Sequence, residues 1–454
     1  MDRQAGPQPG ADPGIVVVGA GLVGPVIAMY LARRHAPVTV IEQHADPRQG
    51  SASGGRSLMV ILSARGWRVL RELGLAEQVR ALCVPLTGRC GHLPDGRTRF
   101  TPYSRDGQPI WAVERERLLH ALLDAAQATA GLTLRFGQRV RAVDLDRPAV
   151  LLDDSSGERW LPCRHLLGCD GARSAVRAAM TARGVREDVS TLELAYQEIN
   201  VPLAELDRRI MHYWPAGDAL FGAFPVVSSP DLFAGSVFLR RYGAAPSYAA
   251  AAAGLELTGQ FAALFPGLAA RIPDLAEQLA AKPVATVPLV RCDRWTWGGK
   301  VALVGDSCHA MAPFMGQGMN CAFEDARMLV SCLDETADWA RALAAYERVR
   351  REDGNAIADI SYEHYRTMSR LPAEPSDEVA ALAGRLSDLF PDRFTALYER
   401  CAFTEEGYAS ARANDRRLRS FARELLHEHG NRLLEVPDSR LREYALPPST
   451  RTPG

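Results

Sequence analysis

Three glycines, Gly19, Gly21 and Gly24, stand in the run Gly-Ala-Gly-Leu-Val-Gly directly after the apolar stretch 14–18, and a carboxylate, Glu42, closes a second apolar stretch at 37–41. Those residue types in that order suit a dinucleotide. Gly19 permits a tight turn, Gly21 lets backbone N–H groups approach a pyrophosphate, Gly24 lets helix and strand pack closely, and Glu42 can accept from both ribose hydroxyls. A glycine fingerprint by itself is weak, but strand, helix and acid agree here; the turn alone fits FAD and NAD equally. Two later motifs set a carboxylate beside a glycine, Cys169-Asp170-Gly171 and Gly305-Asp306-Ser307, and the second leads on to Gly316-Gln317-Gly318-Met319-Asn320. Taken singly, each reads as an ordinary turn.

The elements that would position these groups follow from the pattern of apolar residues. Ile15 to Val18 is wholly apolar and β-branched, as in a parallel strand covered on both faces. Val23, Ile27 and Leu31 then recur at four-residue spacing, which predicts a helix opening on the glycine turn. The stretch 166–174 reads as a strand running through Asp170 into a helix that begins near Ser174, and 301–304 as another strand ahead of Asp306. Between 189 and 241 short apolar runs alternate with turns, the pattern of an antiparallel sheet. From 334 to about 429 helical periodicity dominates, and the charge clusters at 347–353 and 412–423 read as solvated helix faces.

The chain of 454 residues carries 53 basic and 54 acidic side chains, so no net field draws it to nucleic acid or an anionic membrane, and a small-molecule partner is expected. Nine cysteines without a C-x-x-C pair suit neither a zinc framework nor a disulfide scaffold and fit a reducing cytoplasm. The Pro/Gly-rich start, 1–13, reads as a loose tail and lacks signal-peptide order. The end, 447–454, is polar. A soluble cytoplasmic monomer or homodimer without a membrane anchor is the expectation.

On these motifs the chain resembles the single-component, NAD(P)H-driven FAD-dependent aromatic hydroxylases of the para-hydroxybenzoate hydroxylase type, and within them the kynurenine 3-monooxygenase branch, from 14 to about 429. The resemblance implies an α/β fold: a Rossmann-like FAD-binding domain in two parts (14–180, which also supplies some pocket residues, and 286–333), an inserted antiparallel sheet substrate domain (181–285) and a helical C-terminal region closing the pocket (334–454). It implies FAD contacts at Gly19, Gly21, Val23, Gly24, Glu42, Gln43, Ile61, Arg115, Val140, Asp170, Asp306, Gly318, Met319 and Asn320, with Asp306 taking the flavin's ribityl hydroxyls. The loop Gly55-Arg56-Ser57 is similar to that branch's arginine-containing loop. Arg89 and Tyr103 match a pair that grips an amino-acid carboxylate, a task a guanidinium performs with two parallel charge-assisted hydrogen bonds. Tyr398 matches a pocket-closing helix. This sequence departs from the branch at Met59 and at His364, each standing where an asparagine is usual, and His364 joins the substrate-binding set as a mark of a modified substrate.

The implied reaction is hydroxylation of L-kynurenine, or a ring-modified (for example methylated) kynurenine, at the 3-position, with bound FAD, transient NADPH and O₂, through a flavin C4a-hydroperoxide, in tryptophan catabolism or a tryptophan-derived antibiotic pathway. The cofactor carries the difficult step, so no acid–base catalyst and no metal are assigned. Two other readings stay open: a hydroxylase of another aromatic or a polyketide substrate, and a flavin-binding protein without catalysis.

Overall fold

The computed structural model describes residues 14–34, 37–50, 59–369 and 378–445. The tail 1–13, the Gly55-Arg56-Ser57 loop and the segment 447–454 lie outside them. In chain order the first unit is β1 (Ile15–Val18), α1 (Val23–Ala32) and β2 (Val38–Ile41). β3 (Met59–Leu62), α2 (Ala64–Glu72), α3 (Ala76–Arg80), β4 (Cys83–Leu86), β5 (Gly88–His92), β6 (Thr98–Pro102), β7 (Ile110–Glu114), α4 (Arg115–Gln127) and β8 (Leu132–Arg135) follow. A small antiparallel sheet, β9 (Arg139–Asp144), β10 (Ala149–Asp154) and β11 (Gly157–Pro162), precedes β12 (His165–Gly168) and α5 (Ala175–Thr181). The long β13 (Glu187–Pro202) opens a meander with β14 (Ile210–Ala216), β15 (Ala219–Pro225) and β16 (Leu232–Arg240); four short helices come next, α6 (Tyr248–Ala252), α7 (Leu257–Leu264), α8 (Pro266–Ala269) and α9 (Leu275–Ala281). The chain returns through β17 (Ala285–Cys292), β18 (Thr296–Trp297), β19 (Val301–Leu303), α10 (Asp306–His309) and α11 (Gly318–Glu335). It ends in α12 (Trp339–Ser369), α13 (Glu378–Leu389), α14 (Leu397–Phe403), α15 (Tyr408–His429) and α16 (Asp438–Ala445).

Two sheets matter for the site. The first has the order β18-β19-β12-β1-β2-β8, parallel except at the β18 edge, and its central strand β1 is fully buried, which explains its unbroken Ile/Val content. The second has the order β17-β13-β16-β15-β14-β5-β6. It is mixed rather than wholly antiparallel, because β5 and β6, read from 88–102, pair with the meander and β5 runs parallel to β14. One face of this sheet buries Phe221, Phe233 and Val237 against Phe261 and Phe265 of the short helices. The other face carries Met211, Leu220 and Phe238 toward the nucleotide-binding layer. A separate apolar cluster, including Leu382, Leu386, Leu418 and Leu433, holds α13, α15 and α16 together.

Candidate active site

The glycine turn is built as its residue types require. Gly19 has φ +102°, and a Cβ there would lie 2.4 Å from the Cys169 carbonyl oxygen; a Cβ on Gly24 would lie 1.9 Å from the Gly19 carbonyl oxygen. Close packing therefore forbids any side chain at either position. Gly21 differs. Nothing lies within 4 Å of its Cβ position, and it borders an open cavity of about 450 Å³ together with Val23. Glu42, just past β2, accepts the Ala20 N–H at 2.9 Å and the His44 N–H at 3.0 Å, so one carboxylate braces the turn while its remaining lone pairs stay available. Gln43 is exposed beside it, and Val140 sits on β9 packed against the main core rather than on the cavity.

Farther along the same cavity, Asp306 begins α10 behind Gly305, which has φ +68°. Its carboxylate makes no hydrogen bond to the described residues; it is open to the cavity and enclosed by protein elsewhere. That enclosure raises its pKa from the ordinary carboxylate value, with His309 and Arg115 opposing the shift. Arg115, the first residue of α4, reaches the cavity without an ion-pair partner among the described residues. Gly318 and Met319, in the first turn of α11, and Ile61 of β3 line it as well.

Two residues expected at the cofactor also bind groups of the protein itself. Asn320 is fully buried and bridges elements: its Oδ1 accepts the Ser63 N–H at 2.9 Å, and its Nδ2 donates to the Ile61 and Gly316 carbonyls at 2.8 and 2.9 Å. Asp170 turns its Oδ2 to the Ala175 N–H at 2.6 Å, capping α5 together with Ser174, and burial raises its pKa. Its neighbours Cys169 and Gly171, not Asp170, line the cavity.

Behind Asp306 lies a buried charge network that sequence reasoning missed. His309 meets Asp325 at 2.5 Å, Arg350 meets Asp325 and Glu324 at 2.8 Å each, and Arg65 meets Glu324 at 3.1 Å while its guanidinium lies 3.9 Å over the Tyr408 ring. Asp325 also accepts the Gly305 N–H at 3.2 Å, which steadies the turn that presents Asp306. His309 and Arg350 outweigh burial and hold the Asp325 carboxyl below its ordinary range. Arg350 is 2% exposed, so the charges at 347–353 are not simply a solvated face. One signal was readable: Gly354, one turn on, allows the close approach of the Trp295 ring, where a Cβ would meet it at 2.8 Å.

At its other end the cavity meets the second sheet, where Met211, Leu220, Phe224 and Phe238 face it, with Met59 and Met368 alongside. Arg89, Tyr103, His364 and Tyr398 come together one side chain beyond, since Met368 lines the cavity and Arg89 Nη1 lies 3.7 Å from its sulfur. Arg89 Nη1 donates to His364 Nε2 at 2.7 Å, which places the ring proton on Nδ1. Tyr103 and Tyr398 stack with centroids 5.2 Å apart. Burial, and secondarily Arg89, lowers the His364 pKa to about 3, so the ring is neutral at pH 7. Arg89 has no carboxylate partner among the described residues. A cation facing a neutral imidazole, a thioether and neutral phenols, with no acid among the described residues, is poised for an anion.

Comparison with known proteins gives the family. The profile of the FAD binding domain family matches residues 13–361. The chain is 35% identical over 410 residues to kynurenine 3-monooxygenase of Myxococcus xanthus (strain DK1622), covering 87% of each, and 34% identical over 425 residues to that of Xanthomonas campestris pv. campestris (strain 8004), covering 91% of this chain and 92% of the other. Among solved structures, the tetrameric form of 2-methyl-3-hydroxypyridine-5-carboxylic acid oxygenase superposes with a TM-score of 0.66 at 21% identity, covering 83% of this chain and 97% of that one. A tetracycline destructase does so at 0.60 and 18% identity, covering 80% and 93%.

Proposed function

The chain belongs to the FAD-binding-domain family of flavin-dependent aromatic hydroxylases, alongside the kynurenine 3-monooxygenases, and from that membership we propose that it hydroxylates L-kynurenine or a ring-substituted kynurenine at the 3-position. It is an FAD-dependent monooxygenase that draws electrons from NAD(P)H and oxygen from O₂. The residues on the cavity fit the flavin nucleotide. Gly21 leaves room for a pyrophosphate, Arg115 offers an unpaired cation, Asp306 offers acceptors for ribityl hydroxyls, and the first turn of α11 presents unpaired backbone N–H groups. When bound, FAD supplies the reduction and oxygen-activation chemistry. The protein's part is to bind, orient and exclude water.

The observation that carries the substrate assignment is the half-buried Arg89 guanidinium, which has no acid partner among the described residues and lies just beyond Met368, at the opposite end of the cavity from the glycine turn. An amino-acid carboxylate seated on Arg89, with a phenol from Tyr103 or Tyr398 as further donor, would direct the aromatic ring back between Met59, Met211 and Phe238 toward the flavin end. The thioethers of Met59, Met211 and Met368 are adaptable walls, which favours ring-substituted kynurenines as an extension of the same reading. The nine cysteines are all unpaired, and no described helix is long and apolar enough to cross a membrane; we place the enzyme in the reducing cytoplasm.

The test incubates FAD-loaded protein with NADPH and air against a panel of kynurenines, with mass spectrometry of the products. Substrate-stimulated NADPH oxidation and a product heavier by one oxygen on the aniline ring are expected. A yellow protein that oxidises NADPH no faster with any kynurenine would discard the substrate while leaving the fold.

A further inference from the structure

On the face of the second sheet that points away from the cavity, three donor side chains converge that the hydroxylase chemistry does not use. β5 and β14 run parallel with Cys90 opposite His212, and alternation along β5 brings His92 to the same face, whereas Arg89 and Met211 point to the cavity side. One ligand atom from each of Cys90, His92 and His212 lies within 4.8 Å of the others. His92 Nε2 and His212 Nδ1 are 3.0 Å apart, and the His92 ring stacks on Trp214 at 4.3 Å. His212 Nε2 lies 3.0 Å from the Asp207 carbonyl oxygen, which can only accept. The proton of the neutral ring is therefore on Nε2, leaving the Nδ1 lone pair directed into the cluster.

We propose that Cys90, His92 and His212 form a three-ligand binding site for a borderline-soft divalent transition ion of the zinc class. One thiolate and two imidazoles suit zinc, with water as the fourth ligand. Bonds of about 2.0–2.3 Å draw the three donors inward by a modest rotamer adjustment. On binding, Cys90 releases its thiol proton to solvent and His92 moves its ring proton from Nε2 to Nδ1, so that each donor offers a free lone pair. His212 is 4% exposed, while Cys90 and His92 are half-buried, which leaves the ion a path from solvent. The ion would tie β5 to β14 directly behind Arg89.

Equilibrium dialysis of the FAD-loaded full chain against zinc, followed by metal analysis, tests this alongside Cys90→Ser and His92→Gln, with flavin content and thermal unfolding confirming that the variants fold. The wild type should retain one zinc per chain that both variants lose. Zinc should also slow alkylation of Cys90, mapped by peptide mass spectrometry, by about tenfold. A wild-type protein that retains no zinc, variants that retain as much as the wild type, or a Cys90 alkylated equally fast with and without zinc would each overturn the site.

Discussion

A guanidinium held beside an imidazole instead of an acid defines the substrate end at the scale of single residues. Replacing Arg89 by Met removes the only cation among the four clustered side chains and with it the charge-assisted bonds to a carboxylate. The Michaelis constant should rise on the order of 100-fold with a smaller change in kcat, and steady-state kinetics that leave KM unchanged would take Arg89 out of the site. His364 supports a second prediction. In the unfolded chain its ring titrates near 6.5, but the fold lowers this to about 3. Below about 6.5 the unfolded chain therefore binds a proton that the folded chain resists, and stability falls as pH descends through that window toward 3. Urea midpoints at pH 7.5 and at pH 5 should differ more for the wild type than for His364→Gln, because His92 and His212 contribute equally to both proteins. Arg89 and Tyr103 were nameable from the sequence as a pair, but their union with His364 and Tyr398 depends on packing across more than 260 residues and could be reached only by resemblance.

At the scale of elements, the turn between β1 and α1 separates two kinds of glycine. An Ala at Gly24 drives a methyl into the Gly19 carbonyl, whereas an Ala at Gly21 points into open cavity. Gly24→Ala should destabilise the flavin-free protein by about 1–3 kcal/mol. Gly21→Ala should leave the flavin-free unfolding midpoint within about 0.5 kcal/mol of wild type and still lose FAD on dialysis. Unfolding curves of the deflavinated proteins, set beside flavin retention, distinguish the two. This turn was legible because strand, glycines, helix and Glu42 are all local. The structural bonds of Asn320 and Asp170 were not: Asn320 ties Ile61 and Ser63, more than 250 residues away, and Asp170 caps a helix. The pairing of β5 with β14 was hidden for the same reason, since a run near residue 90 gives no local sign that its partner lies near 212.

At the scale of the whole molecule, α12 reaches both ends of the site. It carries Arg350 into the charge network behind Asp306, and fourteen positions later it carries His364 to Arg89, with Met368 beyond. Those fourteen residues span about 21 Å of unbroken helix. The helix thus acts as a measuring rod, clamped by salt at one end and setting at the other how far a substrate's acid group stands from the redox centre. One alanine inserted between Arg350 and His364, at Ala358, would turn everything downstream by about 100°. Flavin should still be retained by such a variant while kynurenine affinity collapses, as fluorescence titration would register; a variant that keeps its affinity would show that the calibration resides elsewhere. Relatives that oxidise longer or shorter acids would then be told apart by the length of this gauge and not by the chemistry at either tip.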